Sequence, residues 1–282
     1  MRMSRTVHLL GRGLIAGLLL CGSRLADAQP LPLPTLPPMN PGPRAATGED
    51  YALEVSFGLW NPAPAIVINS ESLGIPGTDV DLISDLGVTQ KRLTRLNATL
   101  KAGRHKLRFE RVPIQYVASA KTTRPFVFNG QRFAAGTTVE TSAAFKTYRA
   151  GYELDLVRAD RGYFGILADV KITDVDVSLT RNVGVEFNSA IAPIPTLGGV
   201  LRIYPLPFLA VGGEASYFRI PESVTEDYRG RYLDYDVYTT VNATNNLGAT
   251  VGYRSIDVFY KNRLDTGTLT FAGFYLTGVV RF

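Results

Sequence analysis

From Tyr51 to Phe282 the chain alternates apolar and polar residues with a period of two, segment after segment, and no stretch carries the 3.6-residue period of a helix. YALEVSFGLW sets Tyr51, Leu53, Val55, Phe57 and Leu59 against Ala52, Glu54, Ser56 and Gly58. RLNATLKA sets Leu96, Ala98, Leu100 and Ala102 against Arg95, Asn97, Thr99 and Lys101. Leu107 and Phe109 continue the pattern, which then slips by one residue near Glu110-Arg111 and resumes at Val112, Ile114 and Tyr116, as a β-bulge would make it do. The chain closes on GTLTFAGFYLTGVVRF, where Ala272, Phe274, Leu276, Gly278, Val280 and Phe282 form one apolar face. Counted this way there are about ten segments, each near the length a tilted strand needs to cross a bilayer. The pattern predicts an all-β fold, a single closed antiparallel transmembrane barrel of about ten strands, with eight or twelve also compatible.

The connections alternate in length. Long ones are expected at roughly 61–90, 120–144, 176–192, 220–230 and 261–267, and short ones at Gly103-Arg104, 158–161, 205–207 and 244–246. Outer-membrane barrels have this asymmetry, with short turns on the periplasmic side. Period two by itself does not say whether the apolar face points inward or outward. Three features favour outward. Tyr51, Trp60, Tyr163 and Phe282 bracket strands as interfacial aromatics do. The apolar face is rich in residues too small to fill a core at crystal-like density: Ala98, Ala102, Ala150, Gly199, Gly213, Ala215 and Gly278. The opposite face carries both signs of charge at mid-strand: Glu54, Arg95, Lys101, Arg108, Glu110, Arg149, Glu153, Asp169, Lys171, Arg202, Glu214 and Arg254. These are the candidate lumen residues, since charges inside a narrow barrel must pair to offset their desolvation.

What precedes Tyr51 reads differently. Residues 1–28 run from Arg2, Arg5 and Arg12 through an apolar stretch to Ala26-Asp27-Ala28, the order of a secretory signal peptide, so the chain is expected to be exported and cleaved. Residues 29–48 form a proline-rich linker suited to polyproline II, leaving 49–282 as the barrel. The single cysteine, Cys21, falls within the leader. The net charge of +5 drops to +2 once residues 1–28 are removed, which leaves 26 basic against 24 acidic residues, and nucleic acid is not indicated as a partner. No apolar run is long enough for a membrane-spanning helix.

Motifs that carry chemistry are sparse. No catalytic, cofactor-binding or metal-binding set is assigned, and no cofactor is expected. His105 sits at a short turn without evident serine and carboxylate partners and reads as a turn residue. Asp79, Asp81 and Asp85, and likewise Asp174 and Asp176, fall in or near long connections and read as solvated acids; neither group has the glycine and terminal glutamate of a calcium loop. Asn129-Gly130, flanked by aromatics in FVFNGQRF, reads as a hairpin turn that extends strands beyond the membrane.

Taken with these residues, the stretch from Tyr51 to Phe282 resembles bacterial outer-membrane β-barrel proteins, and DLISDLGV before the second strand and GRHKLRF across the first short turn resemble a group of them without assigned activity. Leu276, Gly278, Val280 and Phe282 resemble the C-terminal signal that the outer-membrane assembly machinery reads in such proteins. The resemblance implies the bacterial outer membrane with both termini periplasmic, and as partners outer-membrane lipids, lipopolysaccharide and the assembly machinery, with any other ligand unknown. It implies a structural or surface-interaction role through the long connections and a charge-filled lumen, without enzymatic activity. A narrow porin-like channel is the alternative. A lipid-modifying enzyme is disfavoured, because such enzymes resemble one another in depending on a histidine that this chain lacks at the right end.

Overall fold

Alternating segments of this kind have only one way to satisfy every backbone polar group beside an apolar outer surface, which is to pair edge to edge until the sheet meets itself. A computed structural model describes residues 46–72, 74–181, 184–221, 227–263 and 265–282. The expected leader and most of the proline-rich linker lie outside the described residues. The strands are β1 (Leu53–Ser70), β2 (Val80–Asp81), β3 (Leu93–Ala102), β4 (His105–Lys121), β5 (Phe126–Phe128), β6 (Gln131–Phe133), β7 (Thr138–Ala159), β8 (Gly162–Arg181), β9 (Gly184–Leu206), β10 (Leu209–Ile220), β11 (Tyr228–Asn242), β12 (Leu247–Asn262) and β13 (Asp265–Arg281). Among the described residues ten of them close an antiparallel barrel, with β2, β5 and β6 outside the ring. The seam joins β1 to β13 in unbroken register from Glu54↔Arg281 to Ser70↔Asp265.

The strands are longer than the connections expected from sequence allow. Of the stretch expected to form a connection over 176–192, residues 176–181 and 184–192 are instead the paired ends of β8 and β9, so Asp174 and Asp176 stand on a strand rather than in a loop. β1 likewise runs on through Pro62 and Pro64 to Ser70. The reason lies in a change of polarity along each strand. Towards the short turns the outward side chains are Phe57, Leu100, Phe109, Tyr152, Ile166, Leu201, Val237, Val251 and Leu276, all exposed, while charged and hydroxyl groups point in. Towards the other end the order reverses. On β7, Lys146 and Glu140 point out while Phe145, Ala143 and Val139 are buried. On β8, Asp174 points out while Val177 and Leu179 are buried.

This inversion corrects the bulge expected at Glu110-Arg111. β4 keeps its register with β3 and β7 straight through that point. Val112, Ile114 and Tyr116 are on the opposite face from Leu107 and Phe109 because the apolar face itself has moved from outside to inside. Register shifts occur elsewhere, at Asp155/Val157 of β7 and Leu209/Val211 of β10. The inversion also corrects the aromatic assignment. Trp60 is fully buried in the interior with its indole N–H donated to the Gly273 carbonyl at 3.1 Å, and Tyr163 lies inside beneath the Lys106 ammonium. Tyr51 too turns inward, below Lys101. Of the four aromatics, Phe282 alone faces outward, with 68% of its surface exposed.

Above the inversion the barrel has an ordinary apolar core. Trp60, Ile66, Ile114, Tyr116, Phe145, Ile256 and Phe271 pack together there, with Tyr116 stacked on Phe271 at 6.3 Å. β3 ends at Leu93, opposite Trp60, so the upper part of β1 would be left with an open edge. Residues 74–92 close it. β2 pairs with Val67 and Ile68, and the turn that follows drives Leu82, Leu86 and Val88 into the core. The Asn129-Gly130 turn forms as expected, both residues at positive φ. Its hairpin, however, extends no strand: β5 and β6 make a separate two-stranded sheet whose Phe126, Phe128 and Phe133 are buried in the same core.

Candidate functional site: the charged lumen

Between the apolar core and the short turns the bore is filled by ion pairs that reach across it. Arg254 on β12 binds Glu110 on β4 through two hydrogen bonds and Asp234 on β11 at 2.9 Å. Arg95 on β3 binds the same Glu110 at 2.9 Å and Asp236 on β11 at 2.9 Å. Strands β3 and β11 are not neighbours in the sheet, nor are β4 and β12, so these bonds span the lumen. Lys171 joins Asp234 at 2.8 Å. A second branch runs from Arg149, which binds Asp169 at 2.8 Å and Glu214 at 2.9 Å, to Arg108, which binds Glu214 at 2.6 Å and Glu153 at 3.1 Å. Lys106 ends the branch between Glu153 at 2.6 Å and Asp155 at 3.0 Å.

Two further groups close the short-turn mouth. Arg281 binds Glu54 at 2.6 Å across the seam and the Asn242 amide oxygen at 2.9 Å. The segment just before β1 folds over the opening. Glu49 reaches Lys101 at 3.1 Å and Arg202 at 3.6 Å and accepts a hydrogen bond from the Tyr204 hydroxyl. Thr47 N–H donates to the Pro207 carbonyl, and Asn242 donates to the Thr47 carbonyl. Ala46 packs on Tyr204 and Ala210. Ala46, Thr47 and Gly48, expected to belong to a linker, are therefore held against the barrel.

Every charge expected to face the lumen is inside it. The sequence pattern had not singled out Lys106, Asp155, Asp234, Asp236, Arg281 and Glu49, which complete the pairing. With them the ion-paired interior holds nine cations (Arg95, Lys101, Lys106, Arg108, Arg149, Lys171, Arg202, Arg254, Arg281) and nine acids (Glu49, Glu54, Glu110, Glu153, Asp155, Asp169, Glu214, Asp234, Asp236) among the described residues, so no net charge is buried. Asp234 and Asp236 were legible as the alternate face of Leu233, Tyr235 and Val237. Glu49 was not, because it precedes the first strand. Two inward glycines make room for the tyrosines of this layer: Tyr238 and Tyr275 lie flat over their cross-strand partners Gly212 and Gly252, where a Cβ would come within 2.7 and 2.5 Å of the rings. Among the described residues a cavity of about 100 Å³ lies near the short-turn end, lined by both signs of charge, which is room for a few waters.

The other candidates fall outside the lumen. His105 is exposed at the short-turn end, its Nδ1 2.5 Å from the Tyr152 hydroxyl. Asp81 accepts the backbone N–H of Ile83, and Asp79 accepts from Asn69 at 2.7 Å. Asp85 is clasped by Arg124 at 2.7 and 2.9 Å and by Thr123, which ties residues 74–92 to the connection after β4. Burial opposes ionisation of Asp85, but the Arg124 and backbone hydrogen bonds outweigh it and hold the carboxyl below its ordinary value.

No family model matches this chain, and none of the curated proteins does. Among solved structures it is similar to the outer membrane protease OmpT from Escherichia coli, with a TM-score of 0.55 at 8% identity over 85% of this chain and 99% of that one. The fold is that of an outer-membrane β-barrel. The translocator domain of the autotransporter NalP from Neisseria meningitidis also matches, at TM-score 0.43 and 9% identity over 82% of this chain and 89% of that one. So does the Pseudomonas putida toluene transporter TodX, at 0.34 and 8% over 82% and 90%.

The mouth segment yields a pH prediction for this barrel. Burial pushes the Glu49 carboxyl up, but Arg202, Lys101 and the Tyr204 hydroxyl overcome it and bring it from 4.5 to about 2. A carboxyl lowered on folding contributes its stabilisation fully above the unfolded value and loses it as pH falls through the folded one. The segment is thus expected to stay pinned at pH 4 and to come free only near pH 2. Limited proteolysis before Tyr51 measures this. Glu49→Gln, which removes both ion pairs, is expected to be cut faster than the native chain at pH 4 and pH 7 alike.

Proposed function

We propose that this chain is an integral outer-membrane barrel that does not conduct, with both termini on the periplasmic side, and that it acts as a structural or surface-interaction protein. No catalytic activity is part of the proposal. The observation that carries it is the pair of cross-bore bridges, Arg254 to Glu110 and Arg95 to Asp236, lying beneath a layer of buried apolar side chains. Ions or solutes would have to pass two barriers of opposite character in series. Each would have to rearrange on its own before anything crossed.

The same apolar layer supports the surface role. A strand needs only about ten residues to cross a bilayer, whereas β7 and β9 have 22 and 23. The excess builds a rigid platform on the long-connection side, with residues 74–92 and the β5–β6 hairpin fastened into it. That is a surface suited to contact. The C-terminal strand, with Leu276, Gly278, Val280 and Phe282 outward, supports a role as the assembly signal and as the strand that closes the ring.

A narrow channel is the second reading, favoured by the polar cavity at the short-turn end. Planar bilayers separate the two. Purified protein is expected to leave the membrane current at baseline over a range of voltages, and steady single-channel steps would overturn the closed-lumen reading in favour of the channel.

A further inference from the structure

The lumen network leaves one buried cation short of partners. Arg202 on β9 is only 6% exposed, yet its guanidinium makes no hydrogen bond among the described residues, and its ion pair with Glu49 lies at 3.6 Å, beyond hydrogen-bond distance. A guanidinium carries five N–H donors, and each one buried without an acceptor keeps its full desolvation cost. Nη1 of Arg95, a residue 5% exposed on β3, likewise has no partner among the described residues. Both side chains line the cavity of about 100 Å³ at the short-turn end.

The strand register sets two hydroxyl groups beside Arg202. Its direct partner on β8 is Tyr163, and its partner on β10 is Gly212, which in turn pairs with Tyr238 on β11. Because Gly212 has no side chain, the Tyr238 ring leans across it, and the guanidinium carbon of Arg202 lies 5.8 Å from that ring. Tyr163 and Tyr238 both line the cavity, and neither hydroxyl makes a hydrogen bond among the described residues. The acids on the same lining are already matched. Glu54 accepts from Arg281, Glu153 from Lys106 and Arg108, Glu214 from Arg108 and Arg149, and Asp236 from Arg95 and the Tyr275 hydroxyl. Although the whole lumen is balanced, the cavity lining holds five cations against these four acids. Donors without acceptors and one surplus positive charge therefore meet in one place.

We infer that Arg202, Tyr163 and Tyr238 form a buried binding site for one small monovalent inorganic anion of the size of chloride, inside the short-turn mouth. A monovalent ion matches the single surplus charge of the lining, whereas a divalent oxyanion would bring an unpaired negative charge into the bore. Water can accept some of the same hydrogen bonds but leaves the surplus charge in place. The site rests on the closed-lumen reading, to which it adds a ligand.

The test melts full-length protein in a non-ionic detergent, in sodium gluconate, whose anion is too large for this cavity, and in sodium chloride at the same ionic strength. Chloride is expected to raise the melting temperature of the native protein and to saturate, as a ligand of the folded state does. Tyr163→Phe/Tyr238→Phe keeps both rings and removes both hydroxyl donors. Its affinity for chloride is expected to fall about tenfold or more, since each hydrogen bond to an ion contributes about a factor of ten. Tyr217→Phe, an exposed tyrosine on the outer face of β10, is expected to leave the chloride response unchanged. An equal response in native protein and double variant would overturn the site, as would no response in the native protein. Crystals of the native protein soaked in sodium bromide give a second measurement that needs no variant. An anomalous peak within hydrogen-bond distance of Arg202 is expected, and bromide found only on the outer surface, with water beside Arg202, would overturn the site. Planar-bilayer currents keep the two levels apart. Single-channel steps together with the chloride response would overturn the closed bore and support the site, whereas a flat current without the response would overturn the site alone.

Discussion

Arg254→Met is expected to lower the stability of the folded barrel by about 3–5 kcal/mol, the cost of removing one partner from a buried ion pair. Arg254 is the hub of the upper branch of the lumen network, and without it the Glu110 and Asp234 carboxylates face each other across the bore with less cationic charge to hold them. Lys171 remains on Asp234, but Arg95 and Arg149, the cations left near Glu110, also serve Asp236 and Asp169. Urea unfolding in detergent measures the loss. The single tryptophan of the sequence, Trp60, is a built-in reporter, since the Arg254 guanidinium lies 5.9 Å from its ring. Adding Glu110→Gln to Arg254→Met is expected to restore much of the stability, because the lumen returns to eight cations and eight acids, with Arg95 keeping Asp236 and Lys171 keeping Asp234. If Arg254→Met came within about 1 kcal/mol of the native chain, the lumen charges would be behaving like exposed surface pairs, and the case for a sealed bore would fail with them.

That dependence on pairing explains which parts of the structure the sequence made legible. Period-two alternation carries the approximate strand count, and the small apolar residues and mid-strand charges of the two faces carry the outward direction of the lower barrel, because neither needs knowledge of what lies across the bore. Partners are another matter. Arg95 and Asp236 are joined only once the sheet has closed, and no local spacing encodes that meeting. The polarity inversion at Glu110-Arg111 was visible as a one-residue slip, but a slip is equally the mark of a bulge. What separates the two is register with a neighbour, which a single strand does not contain. Trp60 misled for the same reason: its alternation places it opposite Leu59, so it was always due inside, and only its residue type suggested an interface.

Where the outward face stops being apolar defines how much of the barrel sits in lipid, and β13 supplies the sharpest measurement of it. Leu276→Arg is expected to cost about 2–4 kcal/mol in lipid vesicles, the price of a guanidinium on a lipid-facing strand near the bilayer midplane. Leu276 is 61% exposed and flanked on its own face by Phe274 and Gly278, with no acid there to pair with. Thr268→Arg, on the same face of the same strand but beyond the inversion, is expected to cost no more than about 1 kcal/mol. There Leu269 and Phe271 are buried, and the outward neighbours along the strand are hydroxyl groups, Thr266 and Thr270, with Phe259 and Val67 as the cross-strand partners. The difference between the two variants, read by urea titration in vesicles, depends only on the surroundings, since the introduced group is the same. Equal costs at both positions would mean that the belt does not end at the inversion, and the upper barrel would then have to lie in the membrane with its polar outer face against lipid.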